Sequence, residues 1–418
     1  VFVGRSYEEK TEVKAQAAKL FSPRTPIATQ HLFAGRFRQI SKVTEAIDQL
    51  GAHAIIYGER GVGKTSLANV APIMLHVQRK VPLDKIVAVR INCDGTDSYD
   101  TLWRKVFTGI RVSKEQVPMG FLPQPETEYH SMLDGIKDAS LTPGFVRHTL
   151  EALSKSCHLV VTLDEFDRLP AGDVPRLVAD TIKSLSDNQI AATIVVVGVG
   201  DSIAQLVQGH ESVGRHLVEV PLPRMSREEL ETVVTDRLPQ LGLGIDHNAL
   251  KFISLVSAGL PYFTHLLGQH AVCEAVDRDS DHINKDHVEA AMKRAIEDSE
   301  REMKTAYYDA TRSRHPRSQF SATLAACALT QHDDFGYFTA ANVRDSLSAI
   351  KGALRDIPVF VGHLDRFCDP RKGAILQSSG EKHQMRYRFR NPLMQPFVII
   401  RSLDEHIIKA EHIRTLTK

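Results

Sequence analysis

The stretch Gly58-Glu59-Arg60-Gly61-Val62-Gly63-Lys64-Thr65-Ser66 has a glycine, four residues, and then Gly-Lys-Thr, which is the complete Walker A pattern. Glycines let a backbone bend so that successive N–H groups point at phosphate oxygens, and a helix starting there adds its positive amino end. On this reading Gly58 to Ser66 form the cradle, Lys64 reaches the β- and γ-phosphates, and the Thr65 hydroxyl ligates Mg²⁺. Further along, His158-Leu159-Val160-Val161-Thr162-Leu163-Asp164-Glu165 is an apolar run ending in two carboxylates. Many strands end in acids, but after a full Walker A the pair acquires roles. Asp164 is placed to hold the metal through Thr65 and water, and Glu165 to orient and polarise an attacking water.

Two further candidates follow from position. Ala192 to Gly198 reads as a buried strand, and Asp201 and Ser202 lie at its tip, where a polar side chain can meet the γ-phosphate; a helix N-cap is the plain alternative. Arg215 precedes the last short strand, Leu217 to Val220, where an arginine can reach a neighbouring subunit's γ-phosphate as a finger; a solvated arginine is the competing reading, and Arg224 and Arg227 are weaker candidates.

The elements that must position these groups are strands alternating with helices. Ala54 to Tyr57, Ile86 to Ile91, His158 to Asp164, Ala192 to Gly198 and Leu217 to Val220 are strand-like; Ile40 to Leu50, Tyr99 to Gly109, Phe145 to Ser156 and Leu177 to Leu185 are helical. That alternation implies an α/β fold with a parallel sheet covered on both faces and a ligand at the carboxyl ends of its strands. Residues 112–143 are polar and weakly periodic, an insertion of open structure. Tyr7 to Leu20 is rich in helix formers with few apolar anchors, which suggests a peripheral helix followed by an extended connector at Pro23 and Pro26.

From Ser226 the strand signals stop. A capping box, Ser226 to Glu229, opens a helix to about Leu238, and Asp246–Ser257, Pro261–Val276 and Asp286–Tyr308 are further helical patterns. Beyond Gln319 the pattern changes to three short helices, Ser321–Leu329, Thr339–Ile350 and Pro358–Phe367, then two strands around Ile375–Gln377 and Arg386–Arg390. Three helices and a hairpin describe a winged helix. Arg386, Arg388 and Arg390 share one strand face, within a basic strip from Arg366 to Arg390 that also holds Arg371, Lys372 and Lys382. Such a strip can neutralise DNA phosphates; it can equally be a solvated strand face or an internal contact.

Composition narrows the classes. The 418 residues exceed one ordinary core, so two or three domains are expected. Lys plus Arg (52) nearly balances Asp plus Glu (51), so any nucleic-acid surface must be local. The scattered Cys93, Cys157, Cys273, Cys327 and Cys368 show no metal spacing and suggest reduced thiols and a cytoplasmic setting. No apolar run is long enough to span a bilayer, and no secretory leader is read in a sequence given from Val1.

This order of parts resembles the AAA+ superfamily, and within it the origin-recognition-like ATPases and the STAND signalling ATPases. The resemblance runs from Phe33 to the C-terminus. It is carried by Phe33-Ala34-Gly35-Arg36, Gly58 to Thr65, Leu163-Asp164-Glu165, Asp201, Arg215, a helical lid and the winged helix. It implies an arm over 1–30, an AAA+ core over 31–223, an all-α lid over 224–312 and a winged-helix domain over 313–418. It also implies ATP/ADP and Mg²⁺ as ligands, self-assembly through the Arg215 edge, and output through an effector or partner protein. Where AAA+ lids carry a Gly-x-x-Arg box, this chain has Gly259-Leu260-Pro261-Tyr262, which is similar to the Gly-x-Pro box of STAND proteins, with Pro261 packing near nucleotide. The missing arginine favours a slow, switch-like ATPase, and the resemblance alone implies a setting in bacterial defence or a DNA transaction. An ATP-gated, initiator-like DNA-binding protein is the alternative, and a nucleotide-stabilised scaffold without turnover the plainest.

Overall fold

The computed structural model describes residues 5–23, 35–115, 127–199, 213–313, 318–333, 335–381 and 384–413. The first helix, α1 (Tyr7–Leu20), starts from a capping box in which Ser6 and Glu9 bond reciprocally. Its few apolar residues are concentrated at its end, where Ala17, Leu20 and the following Phe21 are buried.

The α/β core then runs α2 (Phe37–Asp48), β1 (His53–Tyr57), α3 (Lys64–Arg79), β2 (Ile86–Asn92) and α4 (Tyr99–Gly109). After the strands β3 (Arg111–Glu115) and β4 (Thr127–Ser131) come α5 (Pro143–Ser154), β5 (His158–Asp164), α6 (Asp173–Asp187), β6 (Ala192–Gly198) and β7 (Leu217–Pro221). Five strands form one sheet in the order β2-β5-β6-β1-β7, every neighbouring pair parallel. The strand pleat divides the sheet's side chains between two cores. Ala54, Ile56, Val195 and Val197 face α2 and α3, whereas Ile55, Ile194 and Val196 pack with Trp103, Leu150 and Ile182 from α4, α5 and α6. Both faces of the central strands β1, β5 and β6 are therefore dry, which is why these three read as unbroken apolar runs. The open insertion contains an antiparallel pair, Arg111 to Glu115 against Ser131 to Thr127; its sequence is polar enough that no hydropathy pattern betrays it.

The helical bundle comprises α7 (Arg227–Thr235), α8 (His247–Val256), α9 (Pro261–Asp277), α10 (Lys285–Asp298) and α11 (Arg301–Thr311). Two differences from the sequence reading arise here. A two-residue parallel pair, β8 (Gly244–Ile245) and β9 (His282–Ile283), closes the bundle where only helices are expected. The single helix expected over Asp286–Tyr308 is two helices, broken at Ser299, whose backbone is extended and whose hydroxyl donates to the Ala295 carbonyl at 2.6 Å. Serine offers the backbone this alternative to the helical ladder.

The C-terminal unit contains α12 (Phe320–Leu329), β10 (Phe338–Thr339), α13 (Ala340–Lys351), α14 (Ile357–Cys368), β11 (Leu376–Ser379), β12 (Arg386–Phe389), α15 (Met394–Asp404) and α16 (Ala410–Ile413). The expected hairpin β11–β12 gains β10 as a third strand, in the order β10-β12-β11. Helix α15 has no counterpart in the sequence reading. It is buried almost all round, from Met394 through Ile400, so it carries no amphipathic period to detect.

Helix α1 is less peripheral than its composition suggests. Phe21 is completely buried over Gly268 of α9, where an added methyl would stand 2.5 Å from the ring. The buried Arg237 donates to the Leu20 carbonyl at 2.9 Å and to Val233 at 2.7 Å, and lies over the Phe21 ring. Lys10 pairs with Asp279 at 2.7 Å on the same flank. Phe21→Ala should therefore cost about 3–5 kcal/mol, as for other buried aromatic truncations, and lower the midpoint in differential scanning calorimetry; an unchanged midpoint would mean that α1 is not docked on the bundle.

Candidate nucleotide site

Because all five strands point the same way, the chain leaves β1, β5 and β6 at one edge of the sheet. A cavity of about 600 Å³ opens there. Its core wall is formed by Arg60 to Ser66, Asp164, Glu165, Asp167, Arg168, Gly198 and Val199. The facing wall carries Ser22, Pro23, Arg36, Met225, Val233, Pro261, Tyr262 and His265.

The loop after β1 turns through Gly61 at φ 88° and Gly63 at φ 97°, a region where only glycine is free of strain. Gly63 ends the turn and Lys64, Thr65 and Ser66 form the first turn of α3, so unsatisfied N–H groups and the helix dipole face the cavity. The Lys64 ammonium donates to the Gly58 carbonyl at 3.0 Å and the Glu59 carbonyl at 2.8 Å. Burial lowers its pKa, against the pull of Asp167, Asp164 and Glu59.

Asp164 ends β5 and is 4% exposed. One of its oxygens accepts the Glu165 backbone N–H at 2.9 Å, and Arg90 on β2 lies 3.6 Å from the other. Glu165 is a non-glycine residue at φ 55°, a left-handed conformation that costs on the order of 1 kcal/mol and is common where a side chain must be aimed. Its carboxylate is half-exposed and bonded to Arg168 at 2.7 Å. Asp167, which sequence reasoning passed over, also lines the cavity and accepts the Val199 N–H at 3.1 Å, tying the end of β5 to that of β6.

The sequence candidates divide accordingly. Arg60, Gly61, Val62, Gly63, Lys64, Thr65, Ser66, Asp164, Glu165 and Pro261 are brought to one cavity. Gly58 and Glu59 are not on its wall: Gly58 packs against the Leu222 carbonyl, and the Glu59 carboxylate turns away to Arg224 at 2.5 Å. Asp201 and Ser202, and Phe33 and Ala34 of the amino-terminal box, lie outside the described residues. Arg215 is exposed in a short 3₁₀ turn at the amino end of β7, the end of the sheet away from the Walker loop, so it cannot serve its own chain's cavity. Arg224 and Arg227 are not projecting fingers; the first is engaged by Glu59 and the second pairs with Glu231 at 2.7 Å.

Residues of the facing wall complete the picture. Arg36, 4% exposed, donates to the Pro223 carbonyl, and its backbone N–H is accepted by Glu229 at 3.1 Å. Burial, with Arg237 nearby, pushes the His265 pKa down to about 3, so the imidazole is neutral. Tyr262, which stands where the Gly-x-x-Arg box has its arginine, and His265 follow Pro261 on α9; nothing in the sequence marks His265. At the other end Thr65, Asp164 and Asp167 offer only oxygen donors, the set that Mg²⁺ takes together with phosphates and water; the residues fit that ion. No helix among the described residues is long and apolar enough to cross a membrane.

The AAA domain family model matches residues 47–207, from the end of α2 through the segment after β6. Among solved structures the chain is similar to the Aeropyrum pernix ORC2 protein in ADPNP-ADP complexes, at 14% identity over 93% of this chain and 97% of that one, with a TM-score of 0.50. It is also similar to the Walker-type ATPase paby2304 of Pyrococcus abyssi, at 16% identity over 91% and 99% of the two chains, again with a TM-score of 0.50. No curated protein sequence matches. At such identities the likeness concerns the fold, and the fold is the α/β P-loop architecture of AAA+ proteins.

Proposed function

We propose that this chain is a nucleotide-driven molecular switch of the STAND-like kind, which binds ATP and ADP with Mg²⁺ and hydrolyses ATP slowly. The observation that carries this reading is the convergence of Lys64, Thr65 and Asp164 on one cavity between the core and the helical bundle. The bundle, proposed as a lid over 224–312, bounds the base end of the site through Pro261, Tyr262 and the neutral His265. Lys64 binds the β- and γ-phosphates by exchanging carbonyl partners for phosphate oxygens. Mg²⁺, held by Thr65 and Asp164, would neutralise charge on those oxygens.

Slow turnover has two supports. The bundle residues lining the cavity, Met225, Val233, Pro261, Tyr262 and His265, include no cation, and the proposed base Glu165 is paired with Arg168. The strand-tip candidate Asp201 and a neighbour's Arg215 are the groups proposed to complete the catalytic site, the latter by assembly of identical chains. A core over 31–223 then signals through a winged-helix domain over 313–418 to an effector or partner protein in the cytoplasm, in bacterial defence or a DNA transaction.

A second reading, DNA contact through the C-terminal domain, has a specific observation behind it. Arg312, Arg366, Arg371 and Lys372 line one cleft beside α14 together with Asp309; Arg371 is paired with Asp369 at 3.1 Å, and the cations still outnumber the carboxylates there, as a phosphate-binding surface requires. The hairpin arginines are less available: Arg386 and Arg388 both stack on Tyr337, and Arg386 lies 3.8 Å from Asp333, while Arg390 is exposed.

Lys64→Ala should abolish ATP binding in isothermal titration, and Glu165→Gln should bind normally while releasing phosphate at least about tenfold more slowly; normal turnover by the glutamine variant would remove Glu165 from the mechanism. If DNA is bound, Arg371→Glu with Lys372→Glu should weaken salt-dependent binding more than Arg386→Glu with Arg388→Glu in fluorescence anisotropy. The reverse ranking would place the contact on the hairpin.

A further inference from the structure

We propose that the C-terminal domain is a working part of the nucleotide site, holding the Walker loop in shape from behind through Arg224, Gln395 and Leu393. This rests on the nucleotide reading above and adds positioning residues to it. Glu59, inside the loop, is 8% exposed, and Arg224 grips its carboxylate with two donors, Nε at 2.5 Å and Nη2 at 3.3 Å. The third nitrogen of Arg224 donates to the Ala258 carbonyl of the lid at 3.1 Å and to the Gln395 side-chain oxygen on α15. One guanidinium therefore touches the core, the lid and the C-terminal domain.

Gln395 is itself fixed. It is 1% exposed, and its amide donates to the Ala328 carbonyl at 2.7 Å and to Nδ1 of the half-buried His332 at 3.0 Å. Burial and the adjacent Arg224 hold the His332 pKa well below the ordinary range, so the imidazole presents that acceptor unprotonated. Two close approaches press the C-terminal domain onto the same loop. A methyl on Gly61 would stand 2.9 Å from Leu393. One on Gly336, in the turn before β10, would overlap the Glu59 carboxylate.

The consequence runs through a single residue. The Glu59 carbonyl receives Lys64 while its side chain is held by Arg224, so the peptide that meets the phosphate-binding lysine is anchored from outside the cavity. A phosphate cradle binds well only when its N–H groups are fixed before the ligand arrives. Undocking of the C-terminal domain releases Arg224, then Glu59, and with them the shape of the loop. By linkage the effect is reciprocal: bound nucleotide must tighten the docking of the C-terminal domain.

The test is nucleotide affinity for the full chain, with ADP and a non-hydrolysable ATP analogue, in Gln395→Met, Leu393→Ala, Glu59→Gln and the double variant Glu59→Gln/Gln395→Met. Each single variant is expected to weaken binding by about fivefold to tenfold, within the usual range of intramolecular coupling. The double should be no weaker than Glu59→Gln alone, because both break one chain of contacts. Where the variants stay folded by circular dichroism, unchanged affinities, or losses that multiply, overturn the proposal while leaving the nucleotide reading intact. Failure of the wild-type chain to bind nucleotide at all sinks both. Hydrogen exchange on the wild type requires no variant: nucleotide should slow exchange at residues 393–395, and no change there overturns the proposal.

Discussion

The parallel sheet is the constraint from which the rest of this structure follows. Once β1, β5 and β6 run the same way, the loops after them must share an edge, and Lys64 and Thr65 of the Walker loop meet Asp164, far along the chain, without having to be placed individually. Both faces of the central strands β1, β5 and β6 are buried, so register is enforced by apolar packing on each side. The groups that line the cavity, Asp164, Gly198 and the Walker loop, sit at or just beyond strand ends, where hydrogen bonds and charges can be directed at a ligand. Left-handed backbone is found there as well, free of strain in the Walker-loop glycines and strained in Glu165.

The second organising feature is the burial of charge at the back of that loop. Arg224 and Glu59 are both largely removed from solvent, and a buried pair contributes little net stability over an apolar packing while being costly to break on one side. Its value lies in specificity: the forked geometry of arginine and carboxylate admits few alternative arrangements. The pair sits where the α/β core, the helical bundle and the C-terminal unit meet, so a rigid joint ties the three together.

Much of this was legible in the amino-acid sequence, and the reason is periodicity. The unbroken apolar runs of β1, β5 and β6 and the amphipathic spacing of α2 and α6 have physical causes that act within a few residues, so reading locally suffices. What escaped had non-local causes. Helix α15 is buried on nearly every side and loses its period; the strands β3 and β4 pair through their backbones, and their polar sequence shows no hydropathy pattern. The Ser299 break depends on a side-chain bond to Ala295. Within the site, Lys64, Thr65, Asp164 and Pro261 are marked by motif, but Asp167 and His265 are marked by nothing until the fold brings them to the cavity. Glu59 sits inside the motif, yet its side chain faces the other way because Arg224, far along the chain, is waiting for it.

The central claim is that Lys64, Thr65 and Asp164 together grip a triphosphate and its metal. The most direct test is a crystal structure determined with a non-hydrolysable ATP analogue and Mg²⁺. The account predicts phosphates in the cavity, the Lys64 ammonium moved from the Gly58 and Glu59 carbonyls onto phosphate oxygens, and a metal between Thr65 and Asp164. Nucleotide found elsewhere on the molecule, with Lys64 still bonded to those two carbonyls, would contradict it.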